Sequence, residues 1–321
     1  MVDLNIKLPQ GFLEEEERSG YKVSKEKKEL WAVQLDLLEE LLRVCEKHNI
    51  KVIADSGTLL GCVRHKGYIP WDDDIDVYLT RDDYTKLCGL KDEFKEGYFF
   101  QNCYTDSILR YHGQLRKNGT TALIKYDYGM KYHRGVFIDI FILDYVPENE
   151  EERNNFATEL AKSYNKLIKP TLKHFMDNDS IVKKCMKAVW NICFLPFKKL
   201  GFKLKYKNVE VLREGFKKWE ALVSKYNHKT KYVSNISCYS TSKEKVLYFE
   251  ESMFNDLILL DFEMFKLYCP RDYDTRLKEE YGDWHKFVIG TTTHGSLYFN
   301  VDKDYKEFDS ISYKEFKKLF Q

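Results

Sequence analysis

Four aspartates in five positions, Asp72, Asp73, Asp74 and Asp76, stand inside an apolar frame. Ile69, Pro70 and Trp71 precede them, and Ile75, Val77 and Leu79 follow. Carboxylates this close repel one another, and burying them raises their pKa values or costs stability unless a cation sits among them. Whatever this chain folds into must carry an acid-rich segment to the rim of a core. Ile75 to Leu79 alternates as a strand should, which predicts Asp74 and Asp76 on one face of it and Asp73 on the other. Two carboxylates on one face suit Mg²⁺ that also binds phosphate.

The segments around this run alternate between helix and strand. Trp31, Leu35, Leu38, Leu42 and Cys45 recur at steps of four and three, one face of an amphipathic helix over Leu30 to Cys45. Ile50 to Ala54 reads as a short buried strand, broken by Ser56-Gly57, with a short helix over Thr58 to His65. Arg81 to Tyr84 predicts another helix start, capped by Asp82 or Asp83. Gly135 to Asp144 is an apolar strand with a single acid, Asp139, in its middle, where an unpaired charge is expensive. Together these segments predict a mixed α/β core. Beyond Glu148 the texture turns charged, lysine-rich and helical.

Composition narrows the function. With 52 Lys+Arg against 51 Asp+Glu, the net charge of +1 argues against a protein built for non-specific nucleic-acid binding. Tyr (23), Phe (21) and Trp (5) are too many for a disordered chain. The eight cysteines form no Cys-x-x-Cys pair and no zinc spacing with histidine, as expected of reduced thiols in the cytoplasm. The start MVDLNIKLPQ has no signal-peptide pattern, and the apolar stretch Ala188 to Phe197 is too short to span a bilayer.

A strand ending at Gly57-Thr58 and a helix start, a strand with Asp74-Ile75-Asp76-Val77, and a strand with Ile138-Asp139-Ile140 make a layout that resembles the nucleotidyltransferase fold. The wording is more specific still. SGTLLGCVRHKGYIPWDDDIDVYLTRDDY resembles the signature of the LicD family, phosphocholine transferases of bacterial cell-surface glycans and distant relatives of the fukutin-type ribitol-phosphate transferases. GVFIDIFILD (Gly135 to Asp144) and CPRDYDTRLKEEYGD (Cys269 to Asp283), followed by His294, agree with it, so the resemblance covers about residues 30–295. It implies an α/β (α+β) fold: a nucleotidyltransferase-like mixed sheet core with a large helical insertion. The domains expected are an N-terminal arm (1–28), a catalytic core (29–149), a helical insertion or subdomain (150–230) and a C-terminal part completing the active site (231–321).

The activity implied is Mg²⁺-dependent transfer, with Mn²⁺ as a substitute, of phosphocholine from CDP-choline to a sugar hydroxyl of a teichoic acid, lipopolysaccharide or capsule precursor, releasing CMP. Asp74 and Asp76 would hold metal on the diphosphate, with Asp72 as an outer ligand and Asp73 structural. Asp139 would accept the proton of the hydroxyl or complete the metal site. Gly57 and Thr58 at the helix start, and the basic Arg64, Lys66 and Arg116, are candidates to bind the phosphates, with His294 as a further contact. Trp71 is a core anchor or a substrate platform. A trimethylammonium group needs aromatic faces, for which Tyr126, Tyr128, Tyr132, Trp284 and Tyr298 are candidates.

Other outcomes stay open: a different CDP-linked alcohol (ribitol, glycerol or an ethanolamine type), a true nucleotidyltransferase releasing pyrophosphate, or a scaffold that has lost activity. From Ile181 to Val209 the chain carries eight lysines and no acid, interleaved with apolar residues. Such a segment suits peripheral contact with the anionic inner membrane face, where glycans are assembled on lipid carriers.

Overall fold

The computed structural model describes residues 2–108, 110–175, 209–236, 247–289 and 297–321. His294 and all but the last position of Ile181 to Val209, with the phosphate contact and the membrane contact expected there, lie outside these residues.

A hairpin, β1 (Glu16–Arg18) and β2 (Tyr21–Val23), leads into the long helix α1 (Lys25–Lys47). The helix opens earlier than its apolar periodicity, because Ser24 caps it and its first turn is charged rather than apolar. It is also buried on more than one face. The N-terminal segment lies along its outer side, pinned where the Asn5 and Ile6 N–H groups donate to Asp36 Oδ1. Asp36, fully buried, is neutralised by Lys117 at 2.6 Å and bonded by the Tyr98 hydroxyl.

Next come β3 (Ile53–Ala54), α2 (Ser56–His65), β4 (Asp76–Thr80) and α3 (Arg81–Cys88). Thr80, not Asp82 or Asp83, caps α3, its hydroxyl accepting from the Asp83 N–H. The two aspartates fall in the first turn instead, where the helix dipole favours them. The strands β5 (Tyr98–Gln101), β6 (Gly113–Lys117), β7 (Thr121–Ile124) and β8 (Phe137–Val146) follow. Then α4 (Glu150–Phe175) and α5 (Val209–Val223) supply the helical texture seen after Glu148. The remainder is β9 (Tyr232–Asn235), β10 (Phe249–Glu250), β11 (Leu257–Phe262), β12 (Phe265–Pro270), α6 (Tyr273–Tyr281), β13 (Leu297–Asn300) and α7 (Tyr313–Lys318).

Nine of these strands form one mixed sheet, in the order β10-β9-β8-β4-β3-β12-β11, with β6 and β5 added beside the first half of β8, while β1/β2 and β7/β13 are separate two-stranded sheets. The β4/β8 and β3/β12 pairs are parallel and the others antiparallel. The fold is therefore mixed α/β, as the sequence implies.

Alternation sorts the sheet into two faces. Val77, Leu79, Ile138, Ile140 and Ile142 pack into the main core with Trp31, Leu35 and Leu38 of α1. Tyr78 and Leu143, one residue out of phase, pack with Ile53, Tyr145, Phe249 and Phe254 on the opposite face. Asp76 and Asp139 belong to that second face, at its edge.

Candidate active site

The acid loop is built by α1. Lys27 Nζ donates to the Trp71 carbonyl at 2.9 Å, Trp31 Nε1 to the Asp72 carbonyl at 3.1 Å and Gln34 Nε2 to the Asp73 carbonyl at 2.7 Å. These donors sit at helical spacing, so one face of α1 fixes three consecutive peptide groups. The strand opens only at Asp76. Alternation therefore does not govern residues 72–74, and Asp73 is not turned away: Asp72, Asp73 and Asp74 bring carboxylate oxygens within 4.8 Å of one another.

Asp76 stands directly beside Asp139 in the parallel β4/β8 register. Its N–H donates to Thr58 Oγ1 at 2.9 Å, and its carbonyl accepts from the Asp55 N–H at 3.1 Å. Asp76 Oδ1 is shut off from solvent and has no hydrogen-bond partner. Burial and the charges of Asp74, Asp139, Asp55 and Asp72 push the Asp76 carboxyl well above the usual carboxylate range. Burial and the neighbouring Asp74 do the same to Asp72.

Asp139 is the contrasting acid. Burial raises its carboxyl, but the His112 imidazole, the Arg110 charge and the Gln114 amide overcome that and hold it at about 2. His112 Nε2 and Gln114 Nε2 both bond Asp139 Oδ1, at 2.8 and 2.6 Å. The Gln114 amide cannot turn over, because its Oε1 accepts from Arg116 Nη2 and Arg110 Nη1.

The N-terminus of α2 meets the acids. Ser56 starts the helix at φ 43°, in the left-handed region that a serine enters at a cost. A Cβ on Gly57 would stand 2.5 Å from Asp72 Oδ2, so any side chain there displaces that carboxylate. Asp55, fully buried, is bonded to Arg276 Nη2 of α6 at 2.7 Å. Burial pushes its carboxyl up and the Arg276 guanidinium pulls it back, to about 6.

The structure thus gathers Gly57, Thr58, Asp72, Asp74, Asp76 and Asp139 in one place. Thr58 accepts the Asp76 N–H on its buried hydroxyl oxygen, beside the N–H groups that open α2. The basic candidates lie elsewhere. Arg64 and Lys66 are at the other end of α2, roughly 12 Å along its axis at 1.5 Å per residue. Arg64 donates to the carbonyls of Trp284 and Lys286 and lies over the Phe287 ring. Lys66 closes the helix in a left-handed conformation and is exposed.

Arg116 is a correction. It is buried, with its guanidinium taken up by Gln101, Gln114 and the Gly135 carbonyl, and burial lowers it to about 9. It shares the Asp139 face of β6 with Gln114, and its bond to Gln114 Oε1 orients that amide.

Sequence reasoning missed His112, Gln114, Asp55, Arg276, Lys27 and Gln34. None carries a local signal, because each acts on a residue distant in the chain. Of the aromatic candidates, Trp284 is buried with its Nε1 donating to Asp274, and Tyr128 packs on Tyr313 and Phe316. Trp71 keeps a partly buried ring between Tyr21, His65 and Phe287.

Residues 49–178 match the family model described as LicD/FKTN/FKRP, nucleotidyltransferase domain. The lipopolysaccharide cholinephosphotransferase LicD of Haemophilus influenzae is 36% identical over 116 residues, 36% of this chain and 43% of that protein. An uncharacterized protein of Rickettsia prowazekii is 32% identical over 138 residues, 43% of this chain and 47% of its own length. One from Rickettsia typhi is 41% identical over 76 residues, 24% of each chain. The chain spans less than half the length of these curated relatives.

Proposed function

The chain carries a LicD-family nucleotidyltransferase domain, and on that footing we propose that it is a phosphotransferase that moves phosphocholine from CDP-choline to a sugar hydroxyl of a cell-surface glycan, releasing CMP. The printed name of the Haemophilus influenzae relative supports choline as the alcohol and lipopolysaccharide as the acceptor class. The observation that carries the chemistry is the Asp76–Asp139 register pair, with Asp76 Oδ1 sealed from solvent and unpartnered.

Asp72, Asp74 and Asp76 fit a divalent cation on three counts: hard oxygen donors, an orphaned buried oxygen, and mutual repulsion that positive charge cancels. Bound there, Mg²⁺ or Mn²⁺ supplies charge neutralisation on the donor's diphosphate. The remaining work falls to the chain. Backbone N–H groups at the α2 N-terminus attract phosphate oxygens beside Asp72 and Asp76. Asp139 Oδ1 is held by His112 and Gln114, which leaves Oδ2 to take the proton of the attacking hydroxyl. A carboxylate held near 2 is a weak base. It suffices because phosphoryl transfer has a loose transition state, in which positioning and charge neutralisation dominate. The new O–P bond forms at the phosphocholine phosphorus as the bond to CMP breaks, and the proton ends on Asp139.

Among the described residues no helix is long and apolar enough to cross a membrane. We place the enzyme in the cytoplasm or at the inner membrane face, where CDP-choline is present. The test is a panel of CDP-choline, CDP-ethanolamine, CDP-ribitol and CDP-glycerol with Mg²⁺ and lipopolysaccharide or teichoic acid acceptor, scored by CMP release. CMP release fastest from CDP-choline, and lost in Asp76→Asn, is expected. Pyrophosphate release from a nucleoside triphosphate without CMP would overturn the proposal.

A further inference from the structure

Strand registers line up one row of side chains across the sheet. Asp76 stands beside Asp139, Asp139 beside Gln114, and Gln114 beside Gln101. Neighbouring strands are about 5 Å apart, so the row runs from the acids to the amides within about 15 Å. The amides carry a pair of guanidiniums. Gln101 Oε1 accepts from Arg116 Nε and Arg110 Nη1, and Gln114 Oε1 accepts from Arg116 Nη2 and Arg110 Nη1.

Two like charges held on two neutral oxygens repel one another, and the Arg110 charge adds to burial in lowering Arg116. Among the described residues no carboxylate is bonded to either guanidinium. Asp106, the acid beside Gln101, has Oδ2 taken by the Gln101 amide and the His133 N–H, and Oδ1 by the Ser107 N–H. Asp127 and Asp139 act on the pair from beyond bonding distance. The two arginines differ in what they have left. Arg116 is buried with all three nitrogens bonded, the third to the Gly135 carbonyl. Arg110 is half-buried, and among the described residues its Nε and Nη2 have no acceptor. An anion that offers two oxygens to this fork neutralises the pair.

The reaction brings such an anion here. Asp139 takes the proton of the attacking hydroxyl, so the phosphorus under attack lies next to it. Gln114 bonds Asp139 and Arg110 with the two ends of one amide. We infer that Arg110 binds the oxygens of the phosphoryl group in transfer, from the β6 side of Asp139, opposite Asp76. The inference rests on the transferase activity proposed above. Those oxygens carry the charge of the transition state, so a guanidinium there lowers the barrier as well as holding the substrate.

Calorimetry with Mg²⁺ tests it, with phosphocholine and CMP as separate probes, beside CMP release from CDP-choline. In Arg110→Gln, phosphocholine affinity should fall about tenfold and kcat about a hundredfold, with CMP affinity and circular dichroism unchanged. Arg110→Lys, which keeps the charge and loses the fork, should recover part of both. A residue that only steadies Gln114 gives a different pattern. Phosphocholine affinity would not move, and adding Arg110→Gln to Gln114→Leu would cost no further activity. Either result overturns the inference, as does a wild type that binds no phosphocholine. A loss of CMP affinity with phosphocholine affinity retained also overturns it, because the contact then belongs to the leaving phosphate. An inactive wild type sinks the transferase proposal and this inference with it, whereas an active wild type matched by Arg110→Gln sinks this inference alone.

Discussion

Removing Arg276 strands Asp55, and the size of the effect depends on pH. The two side chains are 2.7 Å apart and both essentially buried, so Arg276→Leu leaves a carboxyl with no counter-charge at the start of α2. In the wild type burial pushes the Asp55 carboxyl up to about 6, against 3.8 for an unperturbed aspartate. The folded pKa exceeds the unfolded one, so the folded state holds a proton that the unfolded state releases. The penalty for ionising Asp55 is therefore absent below about pH 4, grows as pH climbs to about 6, and is full above that. Roughly two pKa units at about 1.4 kcal/mol each make it on the order of 3 kcal/mol. At pH 8 the substitution removes the partner of a buried charge, which costs about 3–5 kcal/mol. At pH 5, where Asp55 is largely protonated, the loss at Asp55 shrinks to that of a hydrogen bond to a charged group, about 1.5–3 kcal/mol, and the lost Arg276–Glu280 bond is common to both pH values. Urea melts of wild type, Arg276→Leu and Arg276→Leu/Asp55→Asn at both pH values, in EDTA, read these differences. The double variant should recover most of the loss at pH 8. An equal cost at pH 5 and pH 8, or a double variant no better than the single, would refute the reasoning.

Other perturbations follow from the same geometry. Asp76→Asn should abolish CMP release while slightly raising the urea midpoint in EDTA, because a repelled buried charge disappears; activity above about a tenth of wild type would exclude Asp76 from the reaction. Gly57→Ala pushes its new Cβ against Asp72 Oδ2, so a Mg²⁺ titration of activity should shift to higher concentration with the fold intact. Gln114→Leu leaves Asp139 Oδ1 with one donor and takes one acceptor from each of Arg110 and Arg116, so kcat should fall more than KM rises, with about 1–3 kcal/mol lost in stability. Binding to anionic vesicles, weakened by salt and by Lys198→Glu plus Lys199→Glu, is expected from the lysine-rich run; failure of the wild type to co-sediment at low salt would remove the membrane contact.

Much of the site was written locally. Acids framed by apolar residues, a Gly-Thr step after a strand, and a single acid in an apolar triplet are each patterns within a few residues. Alternation and helical spacing act at that same range, so Asp76 and Asp139 could be assigned to strands, and Gly57 to a helix start, from the chain alone. Local rules also explain the errors. Asp73 was turned away only by extending alternation into residues 72–74, where the strand has not yet begun and carbonyl contacts from Lys27, Trp31 and Gln34 set the backbone. Arg116 is a phosphate candidate by its charge alone, and only the pairing of β6 with β5 and β8 buries it.

Which buried charges neutralise one another was decided by tertiary structure. Arg276 reaches Asp55 across 221 positions, Lys117 reaches Asp36 across 81, and His112 reaches Asp139 across 27. A buried carboxylate needs a partner of opposite charge or a donor at hydrogen-bond distance. The sequence states that need through the apolar residues around each acid, but which side chain meets it depends on which strands and helices become neighbours.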